Sequence, residues 1–163
     1  MIVSGSHVEL RPLSADHVEA LRAIRRESSV ERFWDVVEDD FPLTDEPTAE
    51  RFTIFAGDEI AGMLQITEEP EPAYRYAEID LFLGTAFQGR GLGRDALRAT
   101  IDWLRAERGH HRVVIATEVD NAAALRCYEA SGFRRVGLLE AASRIGGVWR
   151  DEILMESVVR SPQ

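Results

Sequence analysis

A glycine-rich stretch at residues 88–94, with the sequence QGRGLGR, has the residue types of a phosphate-binding turn. It follows an apolar run that ends at Gly84 and precedes an amphipathic segment at 95–108, so we expect a strand, a turn and a helix start in that order. Glycines adopt positive φ readily and let the backbone come close to a ligand. The N–H groups and the dipole of a helix N-terminus attract an anion. The stretch therefore predicts a cradle for a phosphate group.

Three kinds of glycine-rich phosphate turn compete for this stretch. A dinucleotide fold needs G-x-G-x-x-G in its first βα unit, whereas here several strands come first and Arg94 stands where the last glycine would be. A P-loop needs a lysine followed by serine or threonine, which this stretch lacks. The third pattern, Q/R-x-x-G-x-G/A, is matched by Gln88, Gly91 and Gly93. We favour this third pattern.

Hydrophobic periodicity and capping residues predict the elements that position the turn. They are a strand ending at residue 12, helices at 14–27 and within 28–37, a hairpin of 51–56 and 59–66, a strand at 74–84, the helix at 95–108, a strand at 113–116, a helix at 122–130, and closing strands at 133–139 and 148–155. The order is β-α-(α)-β-β-β-α-β-α-β-β. The turn lies where the sheet changes from antiparallel to parallel pairing, and open α/β sheets bind ligands near the carboxyl ends of such strands.

Length and composition restrict the class of protein. The chain of 163 residues fits one domain. A net charge of −10 argues against a nucleic-acid partner and suits a cationic substrate, although acidity can also serve solubility alone. The single cysteine, Cys127, indicates a reducing compartment. The sequence shows neither a signal peptide nor a membrane-spanning stretch, so we expect a cytoplasmic protein without a membrane partner.

An acidic run occupies residues 31–50, with eight acidic residues and one basic residue, Arg32. Such a run is usually a solvated face. Phe33 and Trp34 lie inside it, so a wall that binds a cationic substrate is the alternative. His110 and His111 follow a predicted helix end and are expected to be exposed, and no metal site is expected.

Residues 88–94, together with 121–133 (NAAALRCYEASGF), resemble the two signatures of the GCN5-related N-acetyltransferases; the second is N-x-x-[AS]-x-x-x-Y-x-x-x-G-F. The resemblance covers the whole chain. It implies one N-acetyltransferase domain over residues 1–163, with an α/β (α+β) fold, a mixed central sheet of about six to seven strands and about four helices. It also implies acetyl-CoA as co-substrate.

The resemblance assigns residues to the coenzyme. The pyrophosphate would be bound by Gln88, Gly89, Arg90, Gly91, Leu92, Gly93 and Arg94, and the pantetheine arm by Leu81, Phe82, Leu83 and Asn121. A solvated side chain is the alternative for Arg90, and a helix cap is the alternative for Asn121. Cys127 is interpreted as small core filling.

The implied reaction is attack of an amine on a thioester. A lysine-like amine has a pKa of about 10.4, so it must lose a proton before attack. Backbone amides at Leu81 to Leu83 would stabilise the oxyanion. Tyr128 matches the family tyrosine that protonates the leaving thiolate, with a core aromatic as the alternative role. Asp80, Glu118 or a relayed water would be the base.

The segment 79–83 (IDLFL), with 126–129 and Phe33-Trp34, looks most like aminoglycoside 6′-N-acetyltransferases. In those enzymes the matching strand aspartate is the base or anchors the amine. The expected acceptor is therefore a small-molecule amine, a polycation attracted by Asp80, Glu118, the acids of 31–50 and Glu68, Glu69 and Glu71. A protein N-terminus or ribosomal protein, a siderophore precursor, and a non-catalytic acyl-CoA sensor are the alternatives. The closing strands could pair in a homodimer.

Overall fold

The computed structural model describes residues 1–43 and 48–160, and the fold is given for these ranges. The strands are β1 Val3–Ser4, β2 Glu9–Pro12, β3 Ala49–Ala56, β4 Glu59–Glu69, β5 Tyr76–Leu83, β6 Arg112–Glu118, β7 Arg134–Ile145 and β8 Val148–Val158. The helices are α1 Val18–Arg25, α2 Ser28–Trp34, α3 Leu92–Arg108 and α4 Ala122–Ala130. The strands form one sheet in the order β1-β2-β3-β4-β5-β6-β8-β7.

The predicted fold class and element order are confirmed, with differences at the ends of elements. The sheet has eight strands because β1, two residues long, is too short to show alternation in the sequence. Helix α3 begins at Leu92 rather than at Asp95 because Gly91 already caps it. Strands β7 and β8 continue to a turn at Gly146 and Gly147, both with positive φ. Asp45, Glu46 and Pro47 of the acidic run lie outside the described residues.

The pairing of β5 with β6 is the parallel pairing in the sheet, and it is short. Only Ala77 with Val113 and Glu78 with Val114 are in register; the other neighbouring strands pair antiparallel. Beyond Glu78 and Val114 the two strands diverge toward their carboxyl ends. The sheet therefore has a gap in its middle, directly before the glycine-rich turn.

The two faces of the sheet carry different helices. Ile79 of β5 and Ile115 of β6 pack into the larger core cluster with α3 and α4. Phe82 of β5 packs into a second cluster with α1 and α2. Because side chains alternate along a strand, Glu78 and Asp80 share the α1/α2 face with Phe82. By the same alternation, the residues of β6 on this face are Val114, Ala116 and Glu118.

A buried arginine fixes α2 to the sheet. Arg25 is 1% exposed, and its guanidinium donates hydrogen bonds to the carbonyls of Trp34 and Asp35 at 3.0 and 3.1 Å. The rings of Trp34, Phe41 and Phe82 surround it. Burial lowers the pKa of Arg25 from its ordinary value. The C-terminal end of α2 is thereby held against β5, beside the gap.

None of the helices within residues 1–43 and 48–160 combines the length and the apolar character that crossing a bilayer requires.

Candidate active site

The gap between β5 and β6 opens into a cavity of about 830 Å³. Its walls come from α2, the carboxyl ends of β5 and β6, the glycine-rich turn with the start of α3, α4, and one residue of β8. The residues predicted for the site that line it are Phe33, Trp34, Asp80, Leu81, Phe82, Leu83, Gln88, Gly89, Gly91, Leu92, Gly93, Arg94, Glu118, Asn121 and Tyr128. The fold thus brings almost the whole predicted site to one cavity.

The glycine-rich turn has the backbone conformation of an anion cradle. Gly89 and Gly91 have φ of 71° and 78°, a region that is strained for residues with a Cβ. Gly91 caps α3, and the first bond of the helix ladder runs from the Asp95 N–H to the Gly91 carbonyl at 3.1 Å. The backbone N–H groups of the three residues between Gly91 and Asp95 come before the first hydrogen bond of the helix and face the cavity. These residues are Leu92, Gly93 and Arg94.

The carboxylate of Asp95 does not compete for the cradle. It accepts hydrogen bonds from the backbone N–H groups of Ser6, His7 and Val8 at 2.7–3.1 Å. The acidic side chain in the first turn of α3 is therefore turned toward the loop between β1 and β2. The positive end of the α3 dipole remains directed at the cavity.

Gly93 allows α3 to approach its neighbours closely. A Cβ at this position would lie 3.3 Å from the Cys127 Sγ of α4 and 3.5 Å from the Leu83 Cδ1 of β5. The half-buried Cys127 lies in this packing, and burial raises the pKa of its thiol. Cys127 therefore fills space next to the cradle, as the sequence indicated.

Gln88 and Arg90 use their side chains within the protein. The Gln88 amide donates to the Leu83 carbonyl at 2.9 Å and to Ser29 Oγ at 3.2 Å, which joins the turn to β5 and α2. Arg90 lies over the Phe87 ring, donates to the Ala86 carbonyl, and is not among the cavity-lining residues. These contacts favour the alternative of a solvated side chain for Arg90, and its contact with the coenzyme stays a prediction.

The backbone of β5 presents polar groups to the gap at two of the three predicted positions. The Gly84 N–H donates to Ala61 of β4, and in an extended strand the N–H and C=O of successive residues alternate in direction. Phe82 therefore also points its backbone to β4, whereas Leu81 and Leu83 point theirs into the gap. The assignment of backbone donors at Leu81, Phe82 and Leu83 stays a prediction, and this geometry favours Leu81 and Leu83 over Phe82. The Leu81 and Leu83 N–H groups are the available donors.

Tyr128 reaches the gap from the α3/α4 side. Its ring packs against Phe133 with centroids 6.2 Å apart, and its hydroxyl shares a hydrogen bond with Thr117 of β6. The side chain is 7% exposed, and burial followed by the charge of Asp80 raises its pKa well above the ordinary value. The phenol is therefore a neutral proton donor at physiological pH, so its packing and its proposed acid role are compatible.

Asn121 both caps α4 and lines the cavity, so a role as helix cap and a role in coenzyme binding are compatible. Its side-chain oxygen accepts from the Ala124 N–H at 3.2 Å and so caps α4. Its amide nitrogen donates to Thr117 Oγ1 at 3.3 Å, and the residue lines the cavity. The cap therefore orients Asn121 beside the Tyr128 hydroxyl.

Three carboxylates line the cavity where it opens to the α1/α2 face: Asp80 of β5, Glu118 of β6 and Glu152 of β8. Glu118 is 8% exposed, and its Oε1 is buried without a hydrogen-bond partner among the described residues. Burial raises the pKa of Glu118, an effect that Arg150 partly opposes, and burial also raises the pKa of Glu152. The sequence did not reveal Glu152, because its place opposite Glu118 depends on the register of β6 and β8.

The aromatic residues of α2 differ in their surroundings. Trp34 packs edge-on against Phe82 at 5.1 Å and is fixed by Arg25. Phe33 has the Arg32 guanidinium 5.0 Å from its ring centroid. The Phe33 ring thus already stacks with a cation of the chain, and Trp34 is the firmer part of the predicted aromatic wall.

The acids predicted near β4 are not part of the site. Glu68 binds Arg108 at 2.8 Å and His110 at 2.6 Å, at the end of β4 opposite to the cavity. Glu68, Glu69 and Glu71 do not line the cavity. His110 is 2% exposed, so its expected exposure is wrong: it is buried and hydrogen-bonded to Glu68. In residues 1–43 and 48–160, no three histidine, cysteine or acidic side chains are grouped to hold a metal ion.

The sequence profile of the acetyltransferase (GNAT) family matches residues 16–133 of the chain. This range contains both the glycine-rich turn at residues 88–94 and Tyr128. The chain therefore belongs to the acetyltransferase (GNAT) family and is an N-acetyltransferase.

The chain is also similar to individual members of the family. It is 25% identical over 161 residues to the spermidine N(1)-acetyltransferase of Escherichia coli (strain K12), covering 93% of this chain and 86% of that protein. RimL, a ribosomal L7/L12 alpha-N-protein acetyltransferase solved with coenzyme A, superposes with a TM-score of 0.83 at 23% identity over 98% of both chains. The spermidine N-acetyltransferase from Vibrio cholerae, solved with CoA and spermine, has a TM-score of 0.81 at 20% identity over 94% of this chain and 96% of that chain. At these identities the two structures show a shared fold.

Proposed function

We propose that the protein transfers the acetyl group of acetyl-CoA to a primary amine of a small polycation. The observation that carries this proposal is the position of Asp80, Glu118 and Glu152, which line the cavity together on the α1/α2 face. A cationic acceptor would approach from this face, while the coenzyme cradle lies on the α3 side of the gap. The two substrates would therefore meet between the diverging strands.

The coenzyme half of the cavity suits acetyl-CoA in its donors and its shape. The N–H groups at the start of α3 would bind the pyrophosphate, and the gap-facing backbone of Leu81 and Leu83 would pair with the pantetheine arm. The coenzyme supplies the thioester. The Leu81 or Leu83 N–H would donate to the oxygen that gains negative charge in the reaction.

Asp80 is the proposed proton acceptor for the amine. Asp80 and Tyr128 line the same cavity, and the charge of Asp80 raises the pKa of Tyr128 more than any other charge does, which supports this role. An ammonium held there would give up its proton next to the thioester. Glu118, directly or through a water, is the alternative base, and its pKa is raised by burial toward the range that suits a general base.

Tyr128 is the proposed acid for the thiolate. It is neutral, it lies between β5 and β6 at the cavity, and its hydroxyl is oriented by Thr117. The phenol would donate its proton to the departing sulfur. Acid and base would then act from opposite faces of the sheet, since Tyr128 comes from α4 and Asp80 faces α1 and α2.

The relatives support an amine acceptor of this class without fixing its identity. The spermidine acetyltransferases named above act on a small polycation, whereas RimL acts on a ribosomal protein. An aminoglycoside belongs to the first class. A peptide N-terminus has one amine, whereas a small polycation can pair with more than one of the three carboxylates, so we favour the polycation.

The proposal is tested by thiol release from acetyl-CoA with polyamines, aminoglycosides and short peptides as acceptors. We expect turnover with polyamines or aminoglycosides, and a loss of about 100-fold in kcat/KM for Asp80→Asn because the base is removed. The matched control, Asp102→Asn, changes an exposed acid of α3 and should retain activity. Turnover with peptides alone would refute the polycation acceptor, and coenzyme binding without any thiol release would indicate a sensor.

A further inference from the structure

Two carboxylates face each other across β6 and β8 in the cavity. Glu118 and Glu152 are direct partners in the antiparallel register, so their side chains leave the sheet on the same face. Directly opposed residues have Cβ atoms about 5 Å apart, and two like charges at that distance destabilise the sheet. A positive charge bound between the two carboxylates would relieve this repulsion.

The same strand shows how the chain neutralises a carboxylate that has only a structural role. Glu156 lies further along β8 on the same face and binds both Arg112 and Arg134. These contacts, led by the hydrogen bond from Arg112, lower the pKa of Glu156. Glu156 thus needs no ligand.

Glu118 has a different environment. Its Oε1 is buried and has no hydrogen-bond partner among the described residues, although the side chain lines the cavity. The charges of Arg150 and Arg32 act on Glu118 but do not outweigh the effect of burial on its pKa. Glu152 receives a hydrogen bond from Ser143 and faces a further negative charge, Glu78. A buried acceptor without a donor is costly, and a bound N–H group would satisfy it.

We propose that Glu118 and Glu152 together bind a second ammonium group of the acceptor, while Asp80 binds the amine that reacts. This inference rests on the proposed function and narrows the expected acceptor from any amine to one with two ammonium groups. The site would select a diamine unit rather than any amine. Glu152 would be a specificity-determining residue that does not contact the reacting atoms.

Strand spacing gives the distance between the two ammonium groups. Neighbouring strands are about 4.8 Å apart, and residues are about 3.3 Å apart along a strand. Glu118 and Glu152 lie on the first and second strands beyond β5, and because Glu78 pairs with Val114 they lie two residues beyond the level of Asp80. An ammonium between them therefore lies roughly 10 Å from one at Asp80. An extended chain of about seven methylenes, at about 1.25 Å per bond, covers this distance. The expected acceptor is therefore a linear diamine or a polyamine with such a unit.

Calorimetric titration of the protein saturated with coenzyme A tests this inference, with 1,7-diaminoheptane and heptylamine as probes. We expect the unsubstituted protein to bind the diamine at least about tenfold more tightly than the monoamine. In Glu152→Gln, which removes the charge and keeps the shape, this preference should fall to about onefold. Glu107→Gln, an exposed position on α3, should keep the preference. No preference in the unsubstituted protein, or full preference in Glu152→Gln, would overturn the proposal.

Thermal unfolding separates a binding role from a structural one. Because Glu152→Gln removes a like-charge contact, the unliganded variant should unfold at the same or a higher temperature than the unsubstituted protein. A lower unfolding temperature would assign Glu152 to the fold and overturn the inference. The titration uses coenzyme A rather than acetyl-CoA, so it does not depend on turnover. Failure of thiol release with every amine would refute the proposed function, whereas the diamine preference would still be measured.

Discussion

Replacing Tyr128 by phenylalanine tests the separation of acid from base across the sheet. The change removes one oxygen and leaves the ring against Phe133. The oxygen shares a hydrogen bond with Thr117, whose hydroxyl also accepts from Asn121. The lost hydrogen bond should cost about 1 kcal/mol of stability, so the variant should fold.

The expected effect on catalysis is larger than this structural cost. General acids contribute roughly 10²–10⁴-fold to rate. A thiol with a pKa of about 8.5 leaves readily, and burial makes the Tyr128 phenol a weaker acid, so the lower end of the range applies. We expect kcat to fall about 100-fold for Tyr128→Phe, with coenzyme affinity nearly unchanged.

The assay follows thiol release with the natural coenzyme thioester and with an acetyl thioester of a more acidic aryl thiol. A more acidic leaving group needs less protonation, so the defect of Tyr128→Phe should shrink with the aryl thioester. Tyr74→Phe is the matched control, since Tyr74 is 76% exposed and outside the cavity. An unchanged kcat, or a defect of equal size for both thioesters, would refute the acid role of Tyr128.

Three further changes test the cradle, the buried acid and the wall of the cavity. Gly91→Ala should lower the free energy of unfolding by about 1–2 kcal/mol and weaken coenzyme A binding, because alanine is strained at φ 78°. The control Gly137→Ala should change neither quantity, since a Cβ there meets no neighbouring atom. Denaturant unfolding measures the stability of both variants, and calorimetric titration measures their coenzyme A affinity. Burial raises the pKa of Glu118 above its ordinary value of 4.5, so the folded protein loses stability as the pH rises through the raised value. Glutamine carries no charge at either pH. Glu118→Gln should therefore unfold at a higher temperature than the unsubstituted protein at pH 7 and at the same temperature near pH 4. Arg25→Met should destabilise the protein by about 2–3 kcal/mol and raise the KM of the amine more than that of acetyl-CoA, because α2 loses its anchor; Arg26→Met, at an exposed position, should change neither.

The coenzyme half of the site could be predicted because it depends on local backbone chemistry. Glycine spacing, a helix start and the preceding strand are neighbours in the sequence, and the structure brings 88–94 and the end of β5 together as expected. Arg90 is the exception, since the direction of an exposed side chain is not written in a motif. The direction of the Phe82 amide likewise depends on which neighbouring strand it faces.

The acceptor half depends on contacts between distant residues, and here the sequence was less informative. Glu152 becomes visible only when β8 is placed next to β6 in the observed register. Glu68 and His110 look like solvated polar groups in the sequence, but they bind each other where β4 passes the end of α3. Local charge density therefore predicted the acidic character of the site but not which acids form it.

The most direct test of the account is a competition for limiting acetyl-CoA between 1,7-diaminoheptane and a short peptide with a free N-terminus, with the products identified by mass spectrometry. A cavity whose acceptor half is lined by Asp80, Glu118 and Glu152 predicts that the acetyl group is transferred mainly to the diamine. Acetylation of the peptide alone, or acetyl-CoA left intact in the presence of both acceptors, would contradict the account.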